Sequence, residues 1–184
     1  MQAQRGPGSP AVAAFNGAPD AALRPQLSTC LAVPRWVDGL LAGRPYPDFA
    51  AIAARAGALA AAMDDAELAA ALARHPRIGA PPSGVDTEAR WSRAEQSGVD
   101  PTDEEVASAL QNGNTAYERR FGHVFLVRAA GRSSADILAN LRDRLGNDPE
   151  VERDVVREQL GQIATLRLAD LVTRLAAAPS GESG

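Results

Sequence analysis

Lysine is missing altogether: all 19 basic residues of this 184-residue chain are arginine, and 23 acidic residues outnumber them. The arginine-only usage reads as genomic composition bias. The net charge of −4, with no basic stripe interleaved with aromatics, argues against a nucleic-acid or anionic-membrane surface. Cys30 is the only cysteine, so there is no internal disulfide and no cysteine-rich metal site. The two histidines, His75 and His123, lie far apart and give no metal-ligand spacing. No apolar run is long enough to span a bilayer. Residues 1–15 lack the charged start and apolar core of a signal peptide, and the PSGESG ending is not a peroxisomal address. A soluble protein of the reducing cytoplasm is expected. Aromatics make up only 4% and β-branched runs are scarce, which disfavours a sheet.

What is present is alanine-rich apolar sequence at helical spacing. The pattern predicts one all-α domain over 15–176, a bundle of about eight helices with one short extended segment near 124–130. Residues 1–14 and 177–184 are expected to be a disordered tail and a flexible tail. Pro25 and Pro34 suit first turns, giving helices at about 25–32 and 34–42. Phe49, Ile52, Ala56, Leu59 and Met63 mark the next helix. Asp64 caps another, whose stripe of Leu68 and Leu72 runs to His75, where Pro76 ends it. A proline–glycine loop precedes a short helix to about Gln96. DPTDEE (100–105) opens a helix with Val106, Leu110, Tyr117 and Phe121 inside. Ser133 and Asp136 form a capping box for a helix to Gly146, and Asp148-Pro149 opens the last and longest one.

Three places could carry chemistry. His75 shares a face with Leu68 and Leu72, so it points inward at a helix C-terminus. The helix end favours its protonated form and burial the neutral one, which together suit a proton shuttle near neutrality. A capping or core histidine is the plainer reading. Ser92, Glu95 and Gln96 share one helical face, either as ordinary surface or, brought back by the short loop, as a carboxylate facing the imidazole. Arg167 interrupts the apolar stripe of Ile163 and Leu171. Either Asp170 pairs with it or it meets a planar polar ligand. GRSS (131–134) is explained equally well by helix capping as by phosphate binding, and His123 reads as packing.

A set of short motifs in order carries a resemblance: FN (15–16), RWV (35–37), RPY (44–46), HPRIG (75–79), S-x-x-EQ-x-G (92–98), YERRFGHVFLVRAAGRS (117–133), ILANLRDRLGND (137–148) and Q-x-x-I-x-x-x-RL (159–168). Together they resemble the 2-oxo-4-hydroxy-4-carboxy-5-ureidoimidazoline (OHCU) decarboxylases of urate breakdown, over about Phe15 to Leu175. The resemblance implies an all-helical, cofactor-free homodimeric enzyme that turns OHCU, its small-molecule substrate, into (S)-allantoin. It implies that His75 is the general acid–base and that Glu95 orients the substrate. Pro76 holds His75, while Ser92, Gln96, Arg167 and backbone groups of Phe125, Leu126, Val127 and Arg128 bind the ring and ureido group. The chain departs from the family pattern in its alanine-rich 57–72 segment and in lacking a second cysteine beside Cys30, both packing matters. The other open readings are a non-catalytic helical interaction module and a relative acting on a similar ureido compound.

Overall fold

In a computed structural model of the chain the described residues are 9–75, 78 and 104–177. They form eight helices and, among the described residues, no strand: α1 Pro10–Gly17, α2 Asp20–Cys30, α3 Pro34–Ala42, α4 Phe49–Ala61, α5 Asp65–Leu72, α6 Glu104–Phe121, α7 Ser134–Arg144 and α8 Pro149–Ala177. The all-α class is as expected. The helices fall into two compact units, residues 1–62 with 161–184 and residues 63–160, so α8 contributes its first part to the second unit and its remainder to the first.

In the first unit, the start of the chain differs from expectation. Residues 10–14, read as tail, are helical: Ser9 caps α1 by accepting from the Val12 N–H, and Val12 and Phe15 bury its inner face. Pro25 lies inside α2 and not in its first turn, because Asp20 after Pro19 already starts the helix. Proline removes one ladder hydrogen bond there, and Leu23, Leu27 and Cys30 on the buried side hold the helix regardless. α3 buries Trp36, Val37, Leu40 and Leu41, and the Trp36 indole donates to the Ala56 carbonyl of α4 at 3.0 Å.

The FN and RPY motifs meet. Asn16 exchanges two hydrogen bonds with the Tyr46 backbone, at 2.8 and 2.9 Å. Arg44 donates to the Phe15 and Ala18 carbonyls at 3.0 and 2.6 Å and pairs with Asp20. The Arg44-Pro45 peptide is cis. These pairs span about thirty residues and satisfy carbonyls left open at the end of α1.

In the second unit, α5 begins at the expected capping box: Asp64 accepts from the Glu67 N–H at 2.8 Å, and Glu67 accepts from the Asp64 N–H at 3.1 Å. Ser133 and Asp136 form the corresponding box on α7, so GRSS serves as a cap. α6 packs on α7 so closely that a Cβ at Gly113 would lie 2.6 Å from Leu141 Cδ2. Gly122 ends α6 with φ of 76°, a conformation glycine adopts without strain. Residues 124–129 then run outside any helix or strand, where the sequence suggested a short extended segment.

Candidate active site

α5 buries Leu68, Ala71 and Leu72, and this stripe carries the chain to His75. The His75 N–H donates to the Leu72 carbonyl at 2.9 Å, and ring Nδ1 lies 2.9 Å from the Ala71 carbonyl. A carbonyl only accepts, so Nδ1 carries a proton whether the ring is neutral or charged. Nε2, which is buried, is therefore the nitrogen without a proton in the neutral ring. The helix end thus fixes both the position and the tautomer of the imidazole. Pro76, Ser92, Glu95 and Gln96 lie outside the described residues.

The segment 125–128 is held by side chains from two other elements. Phe125, Leu126 and Val127 are buried. The Arg128 N–H donates to Gln159 Oε1 of α8 at 2.9 Å, and the Leu126 carbonyl accepts from Arg144 Nη1 of α7 at 2.7 Å. Those two backbone groups are therefore occupied by the protein, and Arg128 Nε is buried with no hydrogen-bond partner among the described residues.

Arg144 is itself fixed. Its Nε and Nη2 donate to Glu152 Oε1 at 2.9 and 2.6 Å, and its guanidinium lies 4.7 Å from the Phe125 ring centre. The Tyr117 hydroxyl donates to the same Glu152 oxygen, and Asn147 Nδ2 donates to Oε2 at 2.7 Å. Burial, reinforced by the hydrogen bond to Glu152 and opposed by Arg144, pushes the Tyr117 phenol well above its usual value. It stays a neutral donor. His123 packs against the Tyr117 and Phe121 rings at 5.5 and 6.3 Å, the packing role read from the sequence.

One core joins the two segments. Ile78, three residues beyond His75, is buried in the same cluster as Tyr117, Phe125 and Val127. Its carbonyl accepts from Asn114 Nδ2 of α6 at 3.1 Å. Arg167 is buried in the other unit, where its charge acts on Cys30, while Asp170 pairs with Arg174 at 3.4 Å.

The sequence reading missed Asn114, Arg144 and Glu152, and saw Gln159 only as a motif letter. The signal was there. Leu110–Asn114–Tyr117, Ile137–Leu141–Arg144 and Glu152–Val156–Leu160 are each a buried stripe interrupted by one polar group. Among the described residues no cluster of histidine, cysteine and carboxylates could hold a metal ion, and no helix is long and apolar enough to cross a membrane.

Comparison with known proteins places the geometry. The OHCU decarboxylase family matches residues 16–169. The uric acid degradation bifunctional protein TTL of Arabidopsis thaliana is 38% identical over 106 residues, which are 55% of this chain and 32% of that protein. The 2-oxo-4-hydroxy-4-carboxy-5-ureidoimidazoline decarboxylase of Amia calva is 36% identical over 83 residues, 44% of this chain and 47% of the fish protein. The matched stretches thus span about a third and about half of those relatives. A crystal structure of OHCU decarboxylase in the presence of (S)-allantoin superposes with a TM-score of 0.66 at 22% identity, covering 85% of this chain and 99% of the other, which establishes a shared fold.

Proposed function

The chain belongs to the OHCU decarboxylase family, and from that premise we propose that it converts OHCU to (S)-allantoin, as a cofactor-independent carboxy-lyase of urate degradation. The family match over 16–169 carries this reading, and the fixed tautomer of His75 supports it.

The substrate supplies its own electron sink. When the bond to the carboxylate breaks and carbon dioxide leaves, its electron pair forms a carbon–carbon double bond to the ureido-bearing carbon. The adjoining C=N pair moves onto the ring nitrogen, which takes a proton. The resulting enol loses its hydroxyl proton as the ureido-bearing carbon gains one, and the face that receives it sets the product's handedness. No pyridoxal or thiamine group is required.

In this reading His75 Nε2 is the general acid–base, a role that typically contributes about 10²–10⁴-fold in rate. Glu95 accepts a hydrogen bond from the substrate hydroxyl or ring N–H and so orients it. Pro76 holds His75 in place. Ser92, Gln96 and Arg167 bind the ring and ureido group together with the remaining backbone groups of Phe125, Leu126, Val127 and Arg128. A cytoplasmic homodimer belongs to the same proposal, and sedimentation velocity checks the dimer.

The test generates the unstable substrate in place from urate with urate oxidase and hydroxyisourate hydrolase, then adds this protein. Faster ultraviolet decay with single-handed allantoin by circular dichroism is the expected result. His75→Ala should stay folded and lose about 10²–10⁴-fold in rate. Unchanged decay with racemic product from the parent protein would sink the assignment to this substrate, in favour of a similar ureido compound or a binding role.

A further inference from the structure

We propose that Asn114 is a positioning residue of this decarboxylase: its side-chain amide holds the Ile78 carbonyl and thereby sets where the His75 imidazole sits. The proposal rests on the functional reading above. It starts from a polar side chain in the wrong place for packing. Asn114 is buried on α6 between Leu110 and Tyr117, on the face that builds the apolar core of its unit. Its Nδ2 donates to the Ile78 carbonyl at 3.1 Å, and since a carbonyl only accepts, the orientation of the amide is fixed. The other end, Oδ1, is buried with no hydrogen-bond partner among the described residues.

As a stabilising device this arrangement is poor. The net gain from one amide–carbonyl hydrogen bond is offset by burying an unmatched carbonyl oxygen, and leucine, of the same branched shape though bulkier, would carry no such penalty. What the amide does accomplish is geometric. Two residues separate His75 from Ile78, a reach of at most about 11 Å. At one end His75 is held by its ring and backbone bonds to Ala71 and Leu72 of α5. At the other, Asn114 of α6 holds Ile78. His75 and Ile78 are therefore each held by a different helix.

The same face of α6 also reaches the second segment of the site. Tyr117, one turn beyond Asn114, donates to Glu152, which holds Arg144 against the Leu126 carbonyl. Ile78 packs in the cluster that contains Phe125 and Val127. Register between the imidazole and the segment 125–128 is thus carried by two neighbouring polar side chains of one helix. Proton transfer depends steeply on such register, and a displacement of about 1 Å can reduce the rate about 10²-fold.

The test compares Asn114→Leu with the parent in three ways. The first is kcat and KM on substrate generated in place, with the handedness of the allantoin. The second is the same substitution on a His75→Ala background. The third is the ¹⁵N spectrum of the imidazoles, which needs no activity; His75 and His123 are the chain's only histidines, so His123 serves as the internal reference.

The expected result is a folded variant whose kcat falls about 10- to 10²-fold with KM little changed. Its product is less purely one-handed, and His75 signals move while those of His123 stay. No further loss should follow on the His75→Ala background. Parental kcat with unmoved His75 signals would overturn the proposal, as would a full additional loss on that background. If the parent itself fails to accelerate decarboxylation, the functional reading falls, and the imidazole spectra still decide whether Asn114 positions His75. Should Asn114→Leu fail to fold, Asn114→Ala removes the amide without adding bulk and carries the same comparison.

Discussion

Arg144 and Glu152 form an ion pair closed to solvent, with Nη2 2.6 Å from Oε1 and side chains 5% and 0% exposed. Charges so placed are stable only as a set, since each alone would be stranded away from water. Glu152→Ala should therefore destabilise the protein by about 3–5 kcal/mol, because it leaves the guanidinium buried without its partner. Tyr117→Phe removes one hydrogen bond from the same carboxylate and should cost about 1–2 kcal/mol. Urea midpoints for the two variants check the order, and equal losses would mean that the pair is not what matters there.

Gln159 tests whether the segment 125–128 needs its backbone anchor. Its Oε1 is the acceptor for the Arg128 N–H at 2.9 Å. Gln159→Leu leaves that donor unmatched, at about 1–3 kcal/mol, whereas Gln159→Glu keeps an acceptor in place. In the functional reading the leucine variant should also bind substrate less well, because the remaining backbone donors of 125–128 lose their register. Thermal midpoints and KM, measured on both variants, separate the two effects. A leucine variant with parental stability and KM would show that the anchor is dispensable.

Cys30 gives a prediction whose sign follows from burial. Desolvation pushes its thiol from 9.0 up to about 12, against the pull of Arg167 and Arg174. Below pH 9 both folded and unfolded states hold the proton and the full stability is present. As pH rises from there toward about 12 only the unfolded chain releases it, so unfolding becomes easier. Cys30→Ala should flatten that alkaline decline of the thermal midpoint. At pH 8 the native thiolate fraction is about 10⁻⁴ against about 10⁻¹ unfolded, so a disulfide reagent should react about 10³-fold faster in denaturant. Equal reaction rates would contradict the burial.

Local features were legible in the sequence because their signals are local. The Asp64 and Ser133 caps, a helix end close to His75 (α5 closes at Leu72) and the non-helical run after Gly122 each depend on residues within four positions. The start of α1 was misread for the opposite reason: small and proline-rich residues around Ser9 look like tail, and only the burial of Val12 and Phe15 makes a helix of them. Long-range polar pairs escaped. Arg144 and Glu152 each look like an ordinary helix residue until three elements converge, although each breaks an apolar stripe. Arg167 breaks such a stripe too, and its sequence context left Asp170 and a planar polar ligand both open as its partner. Helical spacing singled out Ser92, Glu95 and Gln96 and the resemblance supplied their roles; all three lie outside the described residues.

The Asp64 capping box links a surface interaction to the imidazole at the other end of α5. The helix has only eight residues, so its first turn is a large part of what holds it. Asp64 and Glu67 satisfy one backbone donor each at the N-terminus, and Ala71 and Leu72 at the far end accept from His75. Asp64→Ala removes the box and should cost about 1 kcal/mol. That loss should be read most clearly in the amide hydrogen exchange of residues 65–75, as faster opening of the whole helix and not of its first turn alone. If opening carries His75 away from its place, kcat should fall in proportion to the open population, with the folded remainder fully active. Asp64→Asn, which keeps a capping acceptor, should restore both. Faster exchange limited to the first turn, with parental exchange at His75, would mean that α5 is held by its buried stripe and that the cap does not reach the site.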